Sequence, residues 1–412
     1  MLRYWFGLPL WQRVLGALIL GVIAGIVLGP KSESIKLIGD IFIKAIKMMV
    51  VPLVFLSLIS GIATLGDVKK LGKVGGRSIL LFVITGFISV TIGLTLGTFF
   101  KPGEGLEIDL PSNSITPKPN STTASDMILS MIPDNPLMAM AQGQILPVIV
   151  FAVIFGISIL MVGKEADPMI RIITSGAVIM QKMTAMIMEL TPFGVFALMA
   201  WVVGTFGWDA LLPLASLVAL NYAGCLIIIL FVYPTILKTI ANLPIVDFFR
   251  GIVDAQAVAF STASSNVALP VTLRCVQRNL GVSKSVSSFT VALGATINMD
   301  GTAMYLGLVA LFGAQLFGID LGWDSYIIIA LTATLGSVGA AGIPGTGLIM
   351  MGLVLSSIGV PLETIAFVAG INHIMDIMRT TTNVTGDATI TVAVGRMIGE
   401  IDVEEYVSAD DV

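Results

Sequence analysis

Asn372-His373-Ile374-Met375-Asp376-Ile377-Met378-Arg379-Thr380-Thr381-Thr382-Asn383-Val384-Thr385-Gly386-Asp387 sets polar and charged side chains into an apolar neighbourhood near the C-terminus. At 100° per residue, Asn372, His373, Asp376, Arg379, Thr380, Asn383 and Asp387 fall within an arc of about 120° on one helix. An ionised side chain facing lipid at a helix centre costs about 2.5–3.5 kcal/mol, so Asp376, Arg379 and Asp387 together would cost about 8–10 kcal/mol. That face must meet protein, water or bound ions. The competing reading is a cytosolic helix with one solvated face, and the flanking segments, apolar nearly all round, speak against it.

Hydrophobic residues make up 56% of the 412 and charged residues only 12%, where a soluble protein has about 25% charged. The chain therefore reads as an all-α polytopic membrane protein. A net charge of −4 with no long basic run gives no case for nucleic-acid binding. Two cysteines, Cys225 and Cys275, make neither a disulfide framework nor a metal site, and the single His373 excludes a histidine cluster. No Gly-x-Ser-x-Gly or His-Glu-x-x-His occurs to support a hydrolase.

Apolar stretches of spanning length recur near 11–29, 37–65, 74–99, 137–162, 168–206, 209–240, 282–313 and 362–395, which predicts eight transmembrane helices. The run from Trp11 to Gly29 reads as the first of them, not as a cleaved leader. Two further stretches are interrupted: 246–273 by Ser261 to Asn266 and by Pro270, and 323–358 by Gly336 to Gly347 with Pro344. Lipid cannot satisfy free backbone groups, so both interruptions predict re-entrant helical hairpins buried in protein or beside water. The 100–126 segment, rich in Ser, Thr, Pro and Asn, reads as a surface loop. Its Asn120-Ser121-Thr122 sequon reads as chance.

When the spans are threaded in order, Lys69, Lys70, Lys73, Arg77, Lys164, Lys238, Arg250, Arg274, Arg278 and Lys284 fall on one side, which predicts a cytoplasmic face. Asp209, Asp320, Asp324 and Glu363 fall on the other. Lys31, Lys36, Lys101 and Lys118 depart from the pattern. Asn298-Met299-Asp300-Gly301-Thr302 follows the first interruption and Asn383-Val384-Thr385-Gly386-Asp387 the second. A hairpin followed by a polar helix, twice and from opposite sides, is the form of an inverted repeat around a midplane site.

An amino acid brings an ammonium and a carboxylate, and both need opposite charge or oriented dipoles inside a membrane. Asp376 suits the ammonium. Thr380 and Asn383, one and two turns on, suit the α-carboxylate, as do backbone N–H groups at Ser264 and Ser265. Arg379 remains for a second carboxylate, favouring an acidic amino acid; an internal Asp376–Arg379 structural pair is the alternative. Asp300, Asp387, Asn298 and Asn383 supply hard oxygen ligands, and unwound backbone at Gly301 or Gly386 is expected to add carbonyls. These suit Na+ or H+, while helix capping by either Asn is the plainer reading.

Ser264-Ser265-Asn266 with Leu269-Pro270, the Asn298 to Thr302 motif, Gly339-Ala340-Ala341-Gly342-Ile343-Pro344-Gly345, and Asp376 through Asp387 resemble the dicarboxylate/amino acid:cation symporter family over essentially the whole chain. The resemblance implies an elevator-type homotrimer in the inner (plasma) membrane with both termini cytoplasmic. It divides the chain into scaffold helices one and two (1–73), transport-domain helix three (74–99), an extracellular loop with scaffold helices four and five (100–206), and the remaining transport domain (207–412). By matching position, Asp376 looks like the ammonium ligand and Arg379 the side-chain carboxylate ligand, with Thr302, Thr380 and Asn383 as further contacts. Ser265, Ile343 and Gly347 would contribute backbone. One Na+ site matches Gly294, Asn298, Asn383 and Asp387, and a second matches backbone near Thr296, Ser337 and Ala340.

A third site reads Phe82, Thr85, Gly86, Asn298 and Asp300, two oxygen ligands short, so two coupling Na+ are expected. Leu306 stands where some members carry a carboxylate tied to proton and potassium coupling, and Ala263 where archaeal members carry an arginine. The expected function is Na+-coupled symport of L-aspartate or L-glutamate. Its rivals are H+ coupling, C4-dicarboxylate carriage without an ammonium for Asp376, and an ion channel, which would need a continuous polar pathway.

Overall fold

The computed structural model describes residues 8, 10–63, 68–105, 129, 132–338, 340, 342 and 345–408. The 106–128 segment with its sequon, and Gly339, Ala341, Ile343 and Pro344 of the second interruption, lie outside the described residues, so the expectation for Ile343 rests on the sequence alone.

The first third holds α1 (Leu10–Leu28), α2 (Glu33–Ala63) and α3 (Val68–Phe100). Next come α4 (Pro136–Ala141), α5 (Ile145–Val162), α6 (Asp167–Met188) and α7 (Thr191–Phe206). The helix that follows is continuous but changes pitch: α8 (Leu211–Ile227) passes through a π turn (Ile228–Val232) into α9 (Tyr233–Ile236) and a second π turn (Leu237–Ala241). Then follow α10 (Ile245–Thr262), α11 (Ser265–Arg274), α12 (Lys284–Ile297) and α13 (Asp300–Leu316). Last are α14 (Trp323–Val338), α15 (Thr346–Ser357), α16 (Thr364–Ala369), α17 (Asn372–Ile398) and α18 (Val403–Tyr406). Among the described residues five helical stretches are long and apolar enough to cross a membrane, namely Gln12–Ala63, Lys73–Phe100, Pro147–Met188, Trp208–Ala241 and Lys284–Leu316. With this composition, the chain is a multi-pass helical membrane protein.

Close helix approach replaces the hydrophobic drive that lipid cannot supply. A methyl at Gly21 would stand 2.6 Å from the Phe196 carbonyl oxygen and one at Gly25 2.7 Å from that of Ala200, so α1 and α7 meet backbone to backbone. α2 lies against α5, α6 and α7; α3 runs along α13. α17 is held among α8, α10, α12 and α13, and its polar arc is turned inward, with all seven side chains buried.

Several boundaries differ from the sequence expectation. The 168–206 stretch is two helices, broken at Glu189-Leu190 just before Thr191-Pro192, where proline sits in the first turn of α7. The 282–313 stretch breaks at Asn298-Met299, and 362–395 bends at Gly370-Ile371. Pro270 does not interrupt the chain there: it lies inside α11, where it removes one backbone donor without ending the helix. The first interruption is only Ala263-Ser264. Ala263 turns left-handed at φ 49°, and the Ser264 hydroxyl caps α11 by accepting the Val267 N–H. Gly336 and Gly347 are both helical, which confines the second interruption to the segment between Val338 and Thr346.

Candidate substrate and cation site

The i, i+3 spacing of Asp376 and Arg379 on α17 brings their side chains together. Arg379 Nη2 donates to Asp376 Oδ1 at 2.8 Å and to Asn372 Oδ1 at 3.1 Å. The guanidinium is fully buried and lies 3.8 Å over the Tyr305 ring, a cation–π contact. Asp376 Oδ2 accepts the Gly345 N–H at 2.8 Å, which links α17 to the second helix pair, α14 and α15. The internal ion pair foreseen as the plainer alternative therefore exists. It does not exhaust the arginine: Nε and Nη1 have no partner among the described residues. Buried donors left over in this way are what an entering carboxylate would satisfy.

Gly347 fits against this guanidinium, because a methyl there would abut Nη1 and lie 2.9 Å from Cζ. Asn383 sits two turns along α17 from Asp376. Its Oδ1 accepts the Gly301 N–H at 2.8 Å, and its Nδ2 lies 3.1 Å from Met299 Sδ and 3.5 Å from Thr302 Oγ1. Thr302 and Thr380 are buried alongside. The two helix-pair tips touch: Ser264 Oγ donates to the Gly342 carbonyl at 2.9 Å and the Asn266 N–H donates to the same oxygen at 3.0 Å. Ser264 thus uses its hydroxyl as well as its backbone, while Ser265 is buried beside it.

A second cluster lies further along α17. Asn298 Nδ2 donates to Asp387 Oδ1 at 3.0 Å, and Gly294 is packed against that carboxylate so closely that a side chain there would collide with it. Thr85 Oγ1 is 3.5 Å from Asn298 Oδ1. Asp300 is fully buried; its Oδ2 accepts the Tyr233 hydroxyl at 2.9 Å and its Oδ1 has no partner among the described residues. Neither Asp300 nor Asp387 has a salt-bridge partner among the described residues. Buried carboxylates of this kind are stable only with hydrogen bonds and a compensating cation or proton.

The backbone set is more dispersed. Thr296 and Ala340 line one small cavity with Ser57 and Gly61, and the Ser337 carbonyl accepts the Ala340 N–H at 3.1 Å. Gly301 and Gly386, expected to be unwound, are both helical. The break falls instead at Asn298-Met299, because the Gly301 N–H is taken by Asn383 and α13 starts there. Gly386 serves close approach, with a methyl there reaching 2.5 Å from the Tyr233 hydroxyl and 2.7 Å from Asn298 Nδ2.

Two participants had no role in the sequence reading, Tyr233 and the Tyr305 ring; Asn372 stood in its polar arc, and the structure adds that its side-chain Oδ1 accepts from Arg379. Tyr233 carried the one usable signal, a phenol directly before Pro234 in an otherwise apolar run, since a buried phenol must find an acceptor.

This geometry has counterparts among known proteins. The chain is 35% identical over 405 residues to a proton/sodium-glutamate symport protein of Geobacillus stearothermophilus, covering 96% of both chains. It is 37% identical over 396 residues to a proton/glutamate-aspartate symporter of Escherichia coli, covering 92% of this chain and 90% of that one. It is also 34% identical over 400 residues to a C4-dicarboxylate transport protein of Bordetella avium, covering 95% and 89%. Residues 10–397 match the model of the sodium:dicarboxylate symporter family. With the match running from α1 to the last turn of α17, the chain belongs to that family, and is a transporter and not an enzyme.

Proposed function

We propose that the chain is a secondary active symporter of acidic amino acids, L-aspartate or L-glutamate, driven by Na+. The observation that carries this reading is the Arg379–Asp376 pair, in which one buried cation keeps unspent donors beside one carboxylate. The substrate ammonium binds Asp376, the side-chain carboxylate binds Arg379, and the α-carboxylate binds near Thr302, Thr380 and Asn383. Two Na+ accompany it, one at Asn298 and Asp387, the other at the backbone of Thr296, Ser337 and Ala340. The names of the relatives leave H+ coupling and C4-dicarboxylate transport as second readings. Asp376 disfavours the latter, because a substrate without an ammonium sets two carboxylates beside a third.

In this reading α10 with α11 and α14 with α15 are re-entrant hairpins that gate from opposite faces. They travel with α3, α8, α12, α13 and α17 against a scaffold of α1, α2 and α5 to α7. The assembly is a homotrimer in the inner membrane with cytoplasmic termini. The test is uptake of labelled aspartate into proteoliposomes under separately imposed Na+ and H+ gradients, with succinate as competitor. Saturable Na+-driven uptake that succinate does not inhibit is expected; uptake driven by pH alone, or abolished by succinate, would overturn it.

Flux-reversal potentials give the stoichiometry. Each Na+ crossing a tenfold gradient and about 100 mV supplies about 3.7 kcal/mol, so two ions instead of three lower the attainable substrate gradient by about 500-fold. A value of three would mean that water or backbone completes the site around Thr85 and Asp300. Gly347→Ala should push Arg379 aside and weaken aspartate binding by about tenfold or more, the worth of one charge-assisted hydrogen bond. Calorimetry reads this directly, and an unchanged affinity would show that Arg379 has room to move.

A further inference from the structure

Tyr233 stands between two π turns, Ile228–Val232 and Leu237–Ala241. Such turns shift a helix's side-chain register and recur at functional positions. Fully buried, its hydroxyl lies 2.9 Å from Asp300 Oδ2 and 3.0 Å from the Thr382 carbonyl oxygen. One phenol therefore touches a carboxylate at the start of α13 and the backbone of α17 immediately before Asn383. The other oxygen of that carboxylate, Oδ1, is buried with no hydrogen-bond partner among the described residues and faces Gly86, where a methyl would come into ordinary contact with it at 3.9 Å. Gly386 makes room for Tyr233, since any side chain there would collide with the phenol.

We infer that Tyr233 is a positioning residue for cation coupling: its hydroxyl anchors Asp300 by one oxygen, directs the other toward the Thr85 and Gly86 side, and joins the cation cluster to the substrate helix at Thr382. This rests on the proposal that substrate binding is coupled to a cation held at Asn298 and Asp387, beside which Asp300 is the neighbouring buried carboxylate: the Tyr233 hydroxyl bound to it and Asn298 Nδ2 both lie against Gly386. Tyr233 acts on that cation through Asp300 and does not itself touch substrate. The π turns are what make the contact possible, by bringing a residue of an otherwise apolar helix to bear on a buried carboxylate.

The experiment is aspartate binding to the full-length protein as a function of Na+ at fixed pH, and of pH at fixed Na+, for the wild type, Tyr233→Phe and Tyr222→Phe. Tyr222 is the control: it lies on α8 and donates to the Ile374 carbonyl at 2.9 Å, a tie to α17 that involves no carboxylate. For Tyr233→Phe, affinity at limiting cation should fall by about fivefold or more and recover at saturating cation, the pattern of altered linkage. The curve of log Kd against log cation concentration should therefore move to higher cation and rejoin the wild type's at saturation. Tyr222→Phe should rise and saturate over the wild-type cation range. A Tyr233→Phe curve that coincides with the wild type, or is offset from it by the same factor even at saturating cation, would overturn the inference. Wild-type affinity that depends on neither Na+ nor pH would instead overturn the coupling reading beneath it, so the two failures are told apart by which protein shows them.

Discussion

Arg379→Ala is expected to abolish high-affinity binding of acidic amino acids and to move preference toward neutral ones. Its guanidinium is the cation paired with Asp376 and stacked on Tyr305, and it has donors to spare. Hydrogen bonds to a charged group are worth about 1.5–3 kcal/mol each, so losing even one costs about 10- to 150-fold in affinity. Removal also strands Asp376 in a buried position with the Gly345 N–H as its one remaining partner among the described residues. Calorimetric titration with aspartate and with a neutral amino acid reads both effects, and an aspartate isotherm like the wild type's would remove Arg379 from the site.

Asp376→Asn should be nearly as severe, by a different route. The substrate ammonium loses its counter-charge, and among the described residues Arg379 keeps amide oxygens and the Tyr305 ring, but no full negative charge, to compensate its own. Breaking a buried pair from one side costs about 3–5 kcal/mol, so a lower unfolding temperature in detergent is expected together with loss of aspartate binding. Succinate binding, by contrast, should persist or improve, because the carboxylate that repels a dianion is gone. Retained aspartate binding in this variant would place the ammonium elsewhere.

The inward polar face of α17 was legible because helical period alone gathers the seven polar residues from Asn372 to Asp387 on one side, and membrane energetics then decides which way that side points. The helix break at Ser264 was legible for a local reason, since a serine-rich pair flanked by apolar runs is a capping signal. The backbone break near Asp300 was misplaced onto Gly301 because it depends on a tertiary bond, from the Gly301 N–H to Asn383, between residues far apart in sequence. Tyr233 was hidden for the same kind of reason: an apolar helix gives no periodic sign of a π turn, and only the fold brings its phenol to Asp300. The stacking of Tyr305 on Arg379 depends likewise on how α13 lies against α17.

Because Arg379 and Asp376 neutralise each other within the substrate pocket, and the charges of Asp300 and Asp387 return with the protein at the end of every cycle, the net charge moved per transport cycle is that of the cargo alone. With two Na+ as proposed, an acidic amino acid of net charge minus one carries one positive charge inward per cycle. An inside-negative potential of about 100 mV would then favour its uptake by about 2.3 kcal/mol. A C4-dicarboxylate dianion with the same two ions would cross with no current at all. Voltage therefore becomes a reporter of substrate identity: clamping proteoliposomes with valinomycin and potassium should accelerate aspartate entry and leave any succinate entry unchanged.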